Sequence, residues 1–192
     1  MRAGKLIAMI IPAVVVFGCI PQSLHPIYTE DSLVTDDGLL GAWGSDDDFW
    51  KFEEGKDKGY KLTICGKGQE TVFDAHLTRI RDGIYLDMLL ADLPIERNDW
   101  LAMHIVPVHT FWELDRSGDT LRIRTLKYDW LKDRFENDKF WIAYEPVQEW
   151  YIFTAKPERM QRFIRKWMTH EEAWSDWEDA PRMPAAPAPA NG

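Results

Sequence analysis

The chain has 192 residues, a length that suits one domain with extensions. Its 45% hydrophobic and 29% charged residues are those of an ordinary folded protein that builds a core without staples. A net charge of −9 argues against a nucleic-acid partner, because phosphate binding needs a basic surface.

Arg2 and Lys5 form a short positive segment, followed by an apolar run from Leu6 to Phe17. The run is too short to cross a hydrocarbon layer of about 30 Å at 1.5 Å per residue. It has the pattern of a secretory signal. Val16-Phe17-Gly18-Cys19 resembles the lipobox of bacterial lipoproteins, with Phe17 in place of the usual small or β-branched residue. The resemblance implies a diacylglyceryl group on the Cys19 thiol, cleavage before Cys19 and acylation of the new amine. The alternatives are a conventionally cleaved signal with a spare cysteine, or an uncleaved anchor. Ile20 in place of Asp implies, by the same resemblance, the periplasmic side of the outer membrane in a Gram-negative envelope. Removing residues 1–18 takes away Arg2 and Lys5 and no acid, so the charge of −9 becomes −11. Such a surface does not adhere to anionic lipid, and two acyl chains must do the tethering. Cys65 is then the only free thiol, at a strand end beside Gly66.

Residues 20–36 contain Pro21 and Pro26 without a clear period, so 19–37 is read as the lipidated cysteine and a tether. The globular domain is expected over 38–180. Period-2 alternation runs through Trp50 and Phe52, then Tyr60, Leu62 and Ile64, then Phe73, Ala75 and Leu77. It continues through Ile84, Leu86 and Met88, with Tyr85 and Asp87 on the opposite face, and through Leu121 and Ile123 against Arg122 and Arg124. Turn signals at Glu54-Gly55, Gly66-Lys67-Gly68, Arg81-Asp82-Gly83 and Arg116-Ser117-Gly118-Asp119 separate them. The fold class is mainly β: a barrel or curved antiparallel sheet with C-terminal α-helices.

The segment from Tyr128 to Asp138 reads as a short helix. After a strand in "WYIFTA", Pro157 suits a first helical turn, and Met160, Phe163, Ile164 and Trp167 form an amphipathic stripe. Thr169 and Glu172 have capping-box spacing, which predicts a second short helix. Residues 181–192, "PRMPAAPAPANG", read as a disordered tail.

Gly41-x-Trp43 is similar to the G-x-W signature of lipocalins, which implies a lipocalin-like barrel with Trp43 and Trp112 as walls around one small apolar ligand. The alternative is a core Trp beside a turn glycine. The lipobox, "LLGAW", "HIVPVHTF", "GDTLRIRTLKYDWL" and "FTAKPERMQRF" in this order resemble a family of small uncharacterised bacterial lipoproteins. That resemblance implies architecture and location, not an activity.

His104 and His109 flank Pro107, and a bulge there brings both imidazoles to one face, where His76 joins them as a possible ligand set for Zn²⁺. No H-E-x-x-H or C-x-x-C spacing supports a metal, and no metal or cofactor is expected. His76, Asp74 and Asp87 also form a polar cluster on the strand faces, but Thr110 and Ser117 sit in no nucleophile elbow. Asp46-Asp47-Asp48 lacks the EF-hand spacing and reads as a solvated turn. The reading is a membrane-tethered, non-catalytic envelope protein binding a small apolar ligand or an envelope partner. Trp43, Trp112, His76, His104 and His109 are the candidate ligand residues. The alternatives are an accessory lipoprotein of an envelope complex and a His-metal hydrolase.

Overall fold

The alternating segments form the strands of one sheet in the computed structural model, which describes residues 20–91, 104–137, 141–148 and 150–184. Cys19 and residues 185–192 of the expected tail lie outside the described residues. The strands in chain order are β1 (Gln22–Ser23), β2 (Leu33–Val34), β3 (Gly41–Ser45), β4 (Asp48–Glu54), β5 (Tyr60–Gly66) and β6 (Gln69–Ile80). They continue as β7 (Gly83–Leu90), β8 (His109–Ser117), β9 (Thr120–Arg124), β10 (Tyr144–Val147), β11 (Trp150–Phe153) and β12 (Glu178–Pro181). From β3 to β9 each strand pairs antiparallel with the next. Tight turns make this possible: Lys67 and Gly68, at φ 54° and 75°, give the two left-handed residues that a two-residue hairpin needs.

The sheet is open, which corrects the closed-barrel expectation. Its main path runs β10-β11-β1-β8-β7-β6-β5-β4-β3. β8 pairs with β1 at His109 and Thr110, and with β9 from Glu113 to Ser117. β12 pairs with β9 and approaches β3 only at the bridge Trp43↔Arg182, beside a bond from Met183 N–H to the Ala42 carbonyl of 2.8 Å. Pro181 and Pro184 flank that bridge and have no N–H to donate, so a longer ladder cannot form there. Nor is the sheet wholly antiparallel, because β1 and β11 run parallel.

Each face of the sheet carries its own core. On the inner face, Trp43, Trp50, Phe52, Leu62, Leu77, Leu86, Trp112, Leu114 and Leu121 pack together. Trp43 is fully buried, its Nε1 donates to the Leu39 carbonyl at 2.8 Å, and Arg182 lies over its ring at 4.1 Å. On the outer face, Tyr85 and Phe111 pack under two helices, α1 (Tyr128–Glu136) and α2 (Pro157–Trp167). The stripe Met160, Phe163, Ile164 and Trp167 is the buried face of α2, and Pro157 opens that helix. Arg165 and Lys166 in its last turn complement the helix dipole.

The second C-terminal helix does not form. Residues Glu171–Ala173 make one 3₁₀ turn with His170, not Thr169, at its start. Pairing overrides the capping-box signal: Lys127 N–H donates to Ala173 O, Ser175 N–H donates to Thr125 O, and Trp174 bridges Leu126. These bonds draw the chain out straight after Ala173 and bury Trp174. The tail boundary also moves, since Pro181 belongs to β12 and Arg182 to the bridge.

The described part of the expected tether, 20–37, is part of the fold. β1 sits between β8 and β11, and β2 pairs with β6. Ile27 is fully buried against Tyr85 and Phe111. Ser32 Oγ accepts from Thr78 Oγ1 at 2.8 Å and from Gln161 Nε2 at 2.9 Å, so the strap is bonded to both β6 and α2. Proline content without a period looks like a linker, but these contacts are all to residues far away in sequence.

Candidate functional site

Register brings three of the sequence-chosen polar residues together on the outer face. His76 is opposite Asp87 across β6 and β7, and His109 lies on the same face of β8. Asp87 is 1% exposed, and each oxygen has a partner. Oδ2 accepts the Ile27 N–H at 2.9 Å, and Oδ1 bonds His109 Nδ1 at 2.6 Å. The ring of Tyr28 lies 4.7 Å from that of His76. Burial holds the His76 imidazole below its ordinary pKa, against the pull of the Asp87 and Asp74 carboxylates. Burial also raises the Tyr28 hydroxyl, and the Asp87 charge adds to the effect.

The Asp87–His109 pair has the carboxylate–imidazole half of a hydrolytic triad, but no hydroxyl among the described residues is bonded to the His109 ring. Ser23 faces His109 in the β1–β8 register, yet its hydroxyl donates to the His25 carbonyl at 2.6 Å. Thr110 points to the other face by alternation. The three histidines weighed as a candidate ligand set are not brought together. His104 is exposed and precedes β8, and among the described residues no three His, Cys, Asp or Glu side chains are placed to hold a metal ion. Pro107 lies before the strand, so it introduces no bulge within it.

A second polar group lies beside this one. Glu113 bonds Arg124 Nε at 2.6 Å and receives the Tyr85 hydroxyl at 3.5 Å, while Arg124 also bonds Glu171 at 2.8 Å. Trp177 covers the Arg124 guanidinium at 4.4 Å. Burial pushes the Glu113 carboxyl up, and Arg124 pulls it back. All of these groups are spent on one another.

A cleft among the described residues borders this second group, since Glu113 and Trp177 are among its lining residues. Where the strap crosses the end of β6 to β9, this cleft of about 440 Å³ opens, lined by Leu39, Leu77, Ile84, Leu114 and Leu121. That volume is in the range of small-molecule sites. Alternation turns Arg79 and Arg116 toward the same inner face as Leu77 and Leu114. Arg116 is held by Asp36 through two bonds, at 2.9 and 3.1 Å. This pair lowers the Asp36 pKa. Arg79 and Asp82 line the mouth with no ion pair among the described residues.

Comparison with known proteins finds no matching family model, no matching curated relative and no matching solved structure.

The sequence-chosen residues therefore separate. Trp43 and Trp112 are in the inner core, and neither lines the cleft. Trp112 packs edge-on against Trp50 at 5.4 Å, and its buried Nε1 has no hydrogen-bond partner among the described residues. His76 and His109 sit on the opposite face, and His104 is in neither place. Sequence reasoning missed the cleft because Leu39, Leu77 and Leu121 look like any other core leucine. The one local signal was Asp36, a cap for the turn at Asp37–Leu39, which also reaches Arg116 across the mouth.

Proposed function

We propose that this chain is a lipid-anchored protein of the bacterial cell envelope that binds a small amphipathic molecule without transforming it. The cleft carries the binding reading: an aliphatic floor for an apolar body, with Arg79 and Asp82 at the mouth for a polar head. The lipid anchor is supported by the residue pattern from Arg2 to Cys19. The anchor holds the domain at the periplasmic face of the outer membrane where the envelope has one, as Ile20 implies.

Two measurements test this reading. Intact mass of the envelope-purified protein should show residues 1–18 removed and acyl mass added, and Cys19→Ser should abolish both. Titration with 1-anilinonaphthalene-8-sulfonate should saturate at one site per chain. Ile84→Trp, which fills the cleft, should weaken that binding about tenfold, the loss expected when about 1.4 kcal/mol of apolar contact is removed. Unsaturable binding, or a filled variant that binds as the parent does, overturns the ligand reading.

A second reading, an accessory lipoprotein of an envelope complex, is favoured by one observation. The inner face is filled by Trp43, Trp50, Phe52, Leu62 and Trp112, so the body of the sheet is a solid scaffold. Crosslinking in cells that returns one reproducible partner would favour it over the ligand.

A further inference from the structure

The missing tether has a consequence for how the domain meets the membrane, and it rests on the lipid-anchor reading above. Cys19 is bonded to Ile20, Pro21 is buried, and Gln22 is already in β1 between β8 and β11. Three residues span at most about 11 Å, so the acylated residue cannot stray further than that from the sheet. The parallel register Gln22↔Ile152 and Ser23↔Phe153 puts the start of β1 two residues from Trp150, so the chain before Gln22 runs toward the β10–β11 turn. That turn carries Val147, 45% exposed, and Trp150, half-buried beside Tyr128 with ring centroids 5.6 Å apart.

We propose that the tip of the β10–β11 hairpin, at Val147 and Trp150, seats in the interfacial layer of the bilayer that holds acylated Cys19. An exposed aliphatic next to a Trp–Tyr pair is the side-chain chemistry of the membrane–water interface, where an aromatic ring is apolar at one end and polar at the other. Glu145 on the same hairpin is exposed. The contact is therefore apolar rather than electrostatic, and it favours zwitterionic over anionic lipid. The domain stands against the membrane with a fixed side down.

The test uses the full lipidated protein in phosphatidylcholine vesicles carrying a spin-labelled lipid quencher. In a Cys65→Ser background, a fluorophore is attached at Val147→Cys, at Glu145→Cys or at Val106→Cys. Val106 is 64% exposed and lies before β8, on the far side of the β1 pairing, so it controls for mere hydrophobicity. Quenching at positions 147 and 145 should exceed that at 106 by about threefold, as expected for groups within the interfacial layer, and anionic lipid should reduce the difference. Acyl mass on Cys19 with equal quenching at all three positions, or most at 106, overturns this proposal and leaves the anchor reading standing. Absence of acyl mass overturns both.

Discussion

Replacing Asp87 by Ala tests directly whether the N-terminal strap is part of the fold. The carboxylate is 1% exposed, and its oxygens hold two different segments: the Ile27 N–H at 2.9 Å and His109 Nδ1 at 2.6 Å. Alanine removes both acceptors. The Ile27 amide is then buried without a partner, which costs about 1–3 kcal/mol, and the lost bond to a charged acceptor costs about 1.5–3 kcal/mol. The sum, about 2.5–6 kcal/mol, brackets the usual cost of about 3–5 kcal/mol for stripping one partner from a buried pair. It is a large part of a typical domain stability of about 5–15 kcal/mol. Asp87→Asn keeps one carbonyl oxygen for Ile27 and should cost about half as much. Urea unfolding gives the loss as a lower midpoint at unchanged slope. Hydrogen exchange at the Ile27 amide locates it: protection should collapse in the Ala variant and persist in the Asn variant. A loss under about 1 kcal/mol with Ile27 still protected would refute the clamp, because such a value is what an exposed pair gives.

Arg124→Met should destabilise by about 3–5 kcal/mol, because the buried Glu113 carboxyl then loses its counter-ion. The double variant with Glu113→Leu should recover most of that in the same urea assay. His76 titrates below its usual value of 6.5 because it is buried, so the unfolded chain takes up the proton first as pH falls. Its contribution to stability is complete above 6.5 and is lost as pH drops through the lower folded value. His76→Gln should flatten that part of the stability profile, and an NMR midpoint for His76 at or above 6.5 would contradict the burial argument.

The strands were readable and the two-sided burial was not. Ile84, Leu86 and Met88 alternate with Tyr85 and Asp87, and the register follows that alternation. Alternation alone assigns Asp87, Glu113 and Arg124 to a solvent face, as in a one-sided antiparallel sheet. In the fold, α1, α2, Ile27 and Trp174 cover that face, so these groups are buried and must be paired. A faint signal was present in "IYLDMLL", where one acid interrupts an otherwise apolar run, the pattern of a strand buried on both sides. Which segment would satisfy that acid depends on Ile27, sixty residues earlier, and no local pattern carries that information. Barrel closure failed for a local reason that could have been read: prolines at 181 and 184 cannot extend a ladder.

Residue type misled the search for a site in a consistent way. Three polar groups on the outer face are joined to segments arriving from far along the chain. Asp87 takes the Ile27 amide, Arg124 takes Glu171, and Thr78 with Gln161 takes Ser32. Apolar burial is non-directional and would let the strap and the 171–177 segment slide, whereas a buried hydrogen bond fixes one register. Asp87, the acid that looked chemical, is used for that specification, and both of its oxygens are occupied, one by the Ile27 amide and one by His109 Nδ1. Among the charged residues that line the leucine-floored cleft, Arg79 and Asp82 are the two without an ion pair among the described residues. The proposed recognition falls at that mouth, where aliphatic area would supply affinity and two charges of opposite sign would orient a polar head.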